Sequence, residues 1–305
     1  MNISISIMNI VCVSELSSKT PAKSLDYCEP YLAISLASDT ISVFTLEDSY
    51  KSIAISPSIN SCDIIRFYKF PYLFCGTGEG IFMVLSISLE TSSINIQKTN
   101  KSHEIGILDI VLKNDKVFTC SFDNYVHIYQ VLECHDEIAL IKNHSFKAHN
   151  GWVPGLCLSN KHLMTQGSDN IISFWALENF KKTMEVRFKQ EEQPYSAIWR
   201  PIFKDPYFFV PNIKCEVNGE ACMTLIREED LKVLQISFEE LYGSGCKQRC
   251  YGRKEWMIDV QGFGVIGEFI VVASMTIIML FMEYDFELVD RFYLEDGDEV
   301  VVIEI

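Results

Sequence analysis

Two stretches of the chain carry the same residues at the same places. KSHEIGILDIVLKNDKVFTCSFDNYVHIYQV runs from 101 to 131, and KAHNGWVPGLCLSNKHLMTQGSDNIISFWAL runs from 147 to 177. His103 lies 20 residues before Asp123, and His149 lies 20 before Asp169. An aromatic residue follows each histidine by 26 positions, Tyr129 in one copy and Trp175 in the other. Each aspartate precedes an asparagine and follows a threonine by four positions, Thr119 and Thr165. An internal period constrains the fold more than any single residue does. Each copy must build the same unit and bury its apolar face against the next.

The wider chain supports the period. Strand, tight turn and strand recur six times, at 31–46, 72–87, 116–131, 162–177, 207–226 and 268–283. Each half is rich in β-branched and aromatic residues, and most turns carry Asp, Asn or Gly. The turn acids Asp39, Glu79, Asp123 and Asp169 step by 40, 44 and 46 residues. Steps of that length, with four strands each, are the period of a WD40-type β-propeller blade. The expectation is an all-β chain forming one propeller domain over residues 1–305. Seven blades are expected, the last a composite of ISISIMNIVCVS near the start and DEVVVIEI at 298–305; six full blades is the alternative. Segments 178–193 and 227–243 read as short helical turns between blades.

In a WD-type blade the histidine precedes the innermost strand, the aspartate sits in the second turn, and the threonine and aromatic lie on the two middle strands. His149, Thr165, Asp169 and Trp175 would then form one hydrogen-bonded chain, and His103, Thr119, Asp123 and Tyr129 a second. The sets resemble a Ser/His/Asp triad. A triad also needs an exposed nucleophile and an oxyanion hole, and nothing in the sequence supplies them. The reading is structural and non-enzymatic.

Net charge is −15, which disfavours direct binding of nucleic acid or an anionic membrane. Eleven cysteines are scattered without a Cys-x-x-Cys. Cys75, Cys120 and Cys157 fall in apolar strand patterns, where a thiol acts as a small hydrophobe, and this favours a reducing compartment. The six histidines show no ligand spacing, so no metal or cofactor is implied. The apolar run FIVVASMTIIMLFM at 269–282 is 14 residues long. It is too short for a spanning helix, which needs about 20. It reads as two buried strands.

The run HNGWVPGL at 149–156, followed by Arg200-Pro201, Val210-Pro211-Asn212 and a strand ending at Arg227, resembles the WD propellers of the HIRA/HIR histone chaperones. It is similar also to their relatives, the middle subunits of chromatin assembly factor one. Pro21 to Tyr27 and Val272 to Phe281 look more like the second branch. The resemblance implies a nuclear scaffold subunit that works with histones H3-H4 and other chaperone subunits in nucleosome assembly. A generic WD adaptor outside chromatin, such as a ubiquitin-ligase receptor or coat component, is the alternative. Candidate partner-binding residues are Trp152 and the acidic group Glu228, Glu229 and Asp230. A second acidic group is Glu295, Asp296, Asp298 and Glu299. Trp152 follows His149 by three positions, and Gly106 holds the matching place in the preceding copy, so packing demands no size there.

Overall fold

A computed structural model describes residues 20, 22–45, 51–55, 62–134, 137–187, 201–212, 222–237, 260–266, 269–274, 277–282 and 288–293. Among these there is no helix, and the strands form six four-stranded antiparallel meanders. The first is β1 (Ala22–Cys28), β2 (Tyr31–Leu36), β3 (Ile41–Thr45) and β4 (Lys51–Ile55). The second is β5 (Cys62–Lys69), β6 (Tyr72–Thr77), β7 (Ile81–Ser88) and β8 (Ser93–Lys101). The third is β9 (Ile107–Lys113), β10 (Lys116–Ser121), β11 (Tyr125–Cys134) and β12 (Glu137–Lys147). The fourth is β13 (Gly155–Leu158), β14 (His162–Gln166), β15 (Ile171–Ala176) and β16 (Lys182–Arg187). The fifth is β17 (Ile202–Lys204), β18 (Tyr207–Asn212), β19 (Cys222–Arg227) and β20 (Val233–Ser237). The sixth is β21 (Val260–Ile266), β22 (Phe269–Ser274), β23 (Ile277–Met282) and β24 (Leu288–Tyr293).

The fold is all-β and of the β-propeller type, and each meander is a blade. Among the described residues, blades I and II are joined into one eight-stranded sheet by a single parallel bridge, Ile55 to Ser93, between β4 and β8. The chain divides into two compact units. Leu16–Arg187 holds blades I to IV, and Met1–Glu15 with Phe188–Ile305 holds blades V and VI.

All six expected strand pairs are present, and each forms the two middle strands of its blade. The apolar run at 269–282 is the hairpin β22–β23, and no described helix is long and apolar enough to cross a membrane. One expectation needs refining. Among the described residues, segments 178–193 and 227–243 each open on a single hydrogen-bonded turn, at 177–179 and 228–230, the first closed by the Phe180 N–H on the Ala176 carbonyl at 2.8 Å, and they continue as the outer strands β16 and β20. In β16 the exposed side chains Lys182, Thr183 and Arg187 dilute the alternation that marks a strand. Pairing with β15 decides the conformation instead. Both segments of the expected composite blade, and the acidic group at 295–299, lie outside the described residues.

The second turns show a register the sequence disguises. Gly80, Asn124 and Asn170 all have positive φ, of 76°, 73° and 61°. In blade I the left-handed residue is Asp39, at 59°. Ser35 pairs with Ile41 as Cys120 pairs with Val126. Ser38, not Asp39, therefore occupies the place of Asp123. Asp39 is the short polar residue that tolerates a left-handed backbone.

Within the larger unit, apolar faces interleave between neighbouring blades. Ile64, Phe74, Phe82 and Val84 of blade II pack with Ile107, Ile110, Val117 and Tyr129 of blade III. Phe82 lies 5.5 Å, ring to ring, from both Phe74 and Tyr129. Each such ring contributes roughly 1.5–3 kcal/mol by leaving water. Phe118, Cys120 and Val126 of blade III join Val153, Leu156, Leu163 and Trp175 across the next seam. Cys120 and Cys157 are buried thiols, as expected. Cys75 is not a thiol: it forms a disulfide with Cys62 across β5 and β6, with Cα atoms 6.2 Å apart. Apolar alternation shows which face a cysteine takes, but not which cysteine meets it from the next strand.

Candidate functional site

Blade IV carries the complete four-residue chain. His149 lies in the loop before β13, Thr165 on β14, Asp169 in the β14–β15 turn and Trp175 on β15. Trp175 Nε1 is 3.0 Å from Thr165 Oγ1, which is 2.8 Å from His149 Nε2. His149 Nδ1 is 2.9 Å from Asp169 Oδ1. An indole nitrogen can only donate and an ionised carboxylate can only accept. Trp175 therefore donates to Thr165 and His149 donates its Nδ1–H to Asp169, while the Thr165 hydroxyl, also 3.4 Å from the Ser173 carbonyl, bridges indole and imidazole. The Asn150 N–H also donates to Asp169, at 2.8 Å. Burial raises the Asp169 carboxyl, but these donors outweigh it and hold the group below its ordinary range.

Blade III repeats the first three members. His103 Nδ1 is 2.9 Å from Asp123 Oδ2, and its Nε2 is 2.8 Å from Thr119 Oγ1. Burial acts against the Asp123 charge, yet His103 and the N–H groups of Tyr125 and Glu104 bring the carboxyl down to about 2. The fourth member departs from expectation. The Tyr129 hydroxyl bonds Ser102, not Thr119. The phenol carries its polar atom at the ring tip, so it reaches a different group from the one an indole edge meets. His127 stacks on His103 instead, with centroids 3.9 Å apart and planes at 8°. Burial, then the neighbouring His103 and Lys142, press the His127 imidazole down to about 3. It is a neutral ring in the fold. Lys142 Nζ lies 3.0 Å and 3.2 Å from its two nitrogens, and the burial of that amine lowers its own affinity for a proton.

Both threonines are wholly buried. Each is spent on its histidine, and neither can meet a substrate. A cleft of about 400 Å³ opens beside the blade III network, lined by Lys101, Glu104, Asp123, Tyr125, His127 and Ser145, among others. No group of three or more His, Cys, Asp or Glu residues could hold a metal among the described residues.

A third polar arrangement escapes sequence reading. Asp109 on β9 is fully buried. It accepts from the Leu156 N–H at 3.0 Å and the Ile110 N–H at 2.9 Å. Arg66 on β5 lies 3.7 Å from Asp109 and 3.8 Å from Asp26 on β1. Asp26 accepts from the Phe67 N–H at 2.6 Å, and Arg66 Nε donates to the Ile110 carbonyl at 3.1 Å. One cation and two carboxylates thus tie together the first strands of blades I to III and reach β13 of blade IV. Burial pushes the Asp109 carboxyl up to about 6, against the pull of Arg66 and the two N–H donors. The signal was a charged residue in the middle of each of three first strands, in SLDYC, IIRFY and ILDIV.

Trp152 is exposed at 36% and stacks on Phe122, exposed at 38%, with centroids 4.9 Å apart. The matching Gly106 is not neutral toward size. A Cβ there would come within 2.9 Å of the Gly78 carbonyl oxygen. Blade III excludes a side chain where blade IV turns one outward.

The acidic group changes character. Glu228 is buried, and its N–H donates to the Pro206 carbonyl at 2.8 Å. Asp230 pairs in a fork with Arg227, which lowers its carboxyl, and also accepts from the Lys232 N–H at 3.1 Å. Glu229 is exposed. Three acids in a row do not form a shared acidic face, because a turn sends consecutive side chains in different directions.

Known protein families and characterised proteins offer no match to this chain.

Proposed function

We propose that this chain is a non-enzymatic propeller scaffold in a nuclear complex that deposits histones H3-H4. One observation carries the scaffold part of this reading. The side chains that imitate a catalytic set are buried in bonds that hold blades III and IV, while large aromatic side chains stand exposed on the loops. Polar chemistry is invested in the fold, and contact area is offered outside it. The histone part rests on the resemblance of HNGWVPGL, Arg200-Pro201 and Val210-Pro211-Asn212, the last of these lying at the end of β18. A net charge of −15 suits a basic cargo.

Affinity purification of the tagged chain from its native cells tests the proposal. Histones H3-H4 and further chaperone subunits should co-purify at physiological salt. Recovery of vesicle-coat or ubiquitin-ligase subunits without chromatin proteins would replace it with the adaptor reading.

A further inference from the structure

We infer that Ile105, Phe122 and Trp152 form a docking shelf for an extended peptide segment that carries one large apolar side chain between lysines or arginines. This rests on the reading of the chain as a scaffold, not on the identity of its cargo.

The shelf is apolar and open. Ile105 is 51% exposed, beside the 38% of Phe122 and 36% of Trp152. It is also held in place by main-chain bonds. The Phe122 N–H donates to the Gly106 carbonyl at 3.2 Å, and the Ser168 N–H donates to the Trp152 carbonyl at 2.9 Å. The Val153 N–H donates to the Ser121 carbonyl at 3.0 Å, which ties the Trp152 loop to the Phe122 turn. Ser121 Oγ donates to the Ile105 carbonyl at 3.0 Å. Loops fixed before binding lose little entropy when a partner arrives.

The size of the shelf selects the occupant. Three side chains offer far less than the roughly 800 Å² per partner of a stable globular interface. A segment that inserts a single anchor fits that area. Charge selects its flanks. Glu104 adjoins Ile105, Asp123 adjoins Phe122, and Asp169 adjoins Ser168. Glu104 is the exposed carboxylate of the three, while the Asp123 and Asp169 side chains, 7% and 15% exposed and bonded to His103 and His149, add negative charge behind it. Lys101 turns its amine to the Glu79 and Glu104 carbonyls, and Lys147 turns to Asn150. Glu104 therefore keeps no lysine ion pair among the described residues. On a chain of net charge −15, an acidic segment is repelled and a basic one is drawn in.

The test is selection of a random 12-residue displayed peptide library on the intact chain, followed by anisotropy of the enriched peptides. Enriched peptides should share an apolar residue flanked by Lys or Arg. Trp152→Ala should weaken them by at least 10-fold without lowering Tm, and Ile105→Lys by a similar factor. If Trp152→Ala lowers Tm, Ile105→Lys alone decides. Absence of enrichment, acidic consensus peptides, or unchanged binding by the variants overturns the shelf. Purified H3-H4 is measured in parallel. Failure of H3-H4 to bind while the peptides bind removes the histone cargo and leaves the shelf. Histone binding that persists in both variants, with peptide binding lost, places the histones elsewhere.

Discussion

Blades III and IV share a histidine, a threonine and an aspartate in matching geometry, yet use them differently. In blade IV the network is linear and ends on an indole. In blade III the aromatic leaves the network, a second histidine enters by stacking, and a lysine covers that histidine. Ser173 stands where blade III has His127, and its buried hydroxyl has no partner among the described residues. Gly155 stands where blade III has Asp109, since Gly155 pairs with Gln166 as Asp109 pairs with Cys120. Blade III has gathered titratable groups around a shared scaffold, and blade IV has kept neutral ones. A repeated unit preserves the bonds that close its turns and lets the flanking positions diverge.

The largest expected effect breaks the charged half of this comparison. Arg66→Met removes the cation that lies 3.7 Å from buried Asp109. Loss of one partner of a buried pair costs about 3–5 kcal/mol. Chemical denaturation at pH 7.5 should show a loss near the low end, because two N–H donors still serve Asp109. The loss should shrink at pH 5, where Asp109 takes up a proton. An undiminished loss at pH 5 would show that Arg66 acts by packing.

The histidines themselves come next. His103→Ala should cost about 2–3 kcal/mol and His149→Ala about 1–2 kcal/mol, each by leaving buried groups unpaired. Blade III loses more because His127 also loses the ring it stacks on. Blade IV loses less because Thr165 can turn to the Ser173 carbonyl, already 3.4 Å away. Equal Tm shifts in the two variants would show that the His127 stack contributes nothing.

The pH profile places titration in blade III. Asp109 sits above its ordinary value, so its protonation favours the fold. That stability is complete below about 3.8 and is lost as pH rises through about 6. His127 sits below its ordinary value, so its charging opposes the fold. Its stability is complete above about 6.5 and is lost as pH falls toward 3. Between pH 7 and 5 the two oppose each other, each by about 1–2 kcal/mol. Asp109→Asn should make stability fall on acidification, and His127→Gln should make it rise. Parallel profiles in the two variants would defeat the assignment.

What the sequence disclosed follows from burial. Middle strands such as β6 bury every side chain and read clearly as apolar runs. Outer strands such as β16 face water, and their charges hid them. The spacing of His, Thr and Asp was legible because three bonds require three fixed places. The partner of Tyr129 was not legible, since it depends on where a phenol tip falls rather than on spacing. Asp26, Arg66 and Asp109 were visible only as single oddities in apolar strands. Their convergence arises between blades, where no local pattern reaches. Trp152 was legible as an outward residue, but Phe122 beneath it was not, because a phenylalanine next to a turn acid looks like core.

The smallest effect gives the sharpest comparison, because it isolates one bond. In blade IV, Trp175→Phe and Thr165→Val each remove one end of a 3.0 Å bond. Trp175 also lies 4.3 Å, ring to ring, from Phe146 and 5.0 Å from the Lys182 amine. Those contacts are lost in the single and the double variant alike, so a double-mutant cycle cancels them. The coupling that remains should be about 1 kcal/mol, the size of one net hydrogen bond. In blade III, Tyr129→Phe and Thr119→Val remove groups that do not bond each other. Their coupling should stay below about 0.5 kcal/mol, the scatter of independent sites. Tyr129→Phe should couple instead with Ser102→Ala, again by about 1 kcal/mol. Coupling of Tyr129 with Thr119 at the blade IV level would mean that the phenol belongs to the histidine network after all. The two blades would then share four members rather than three.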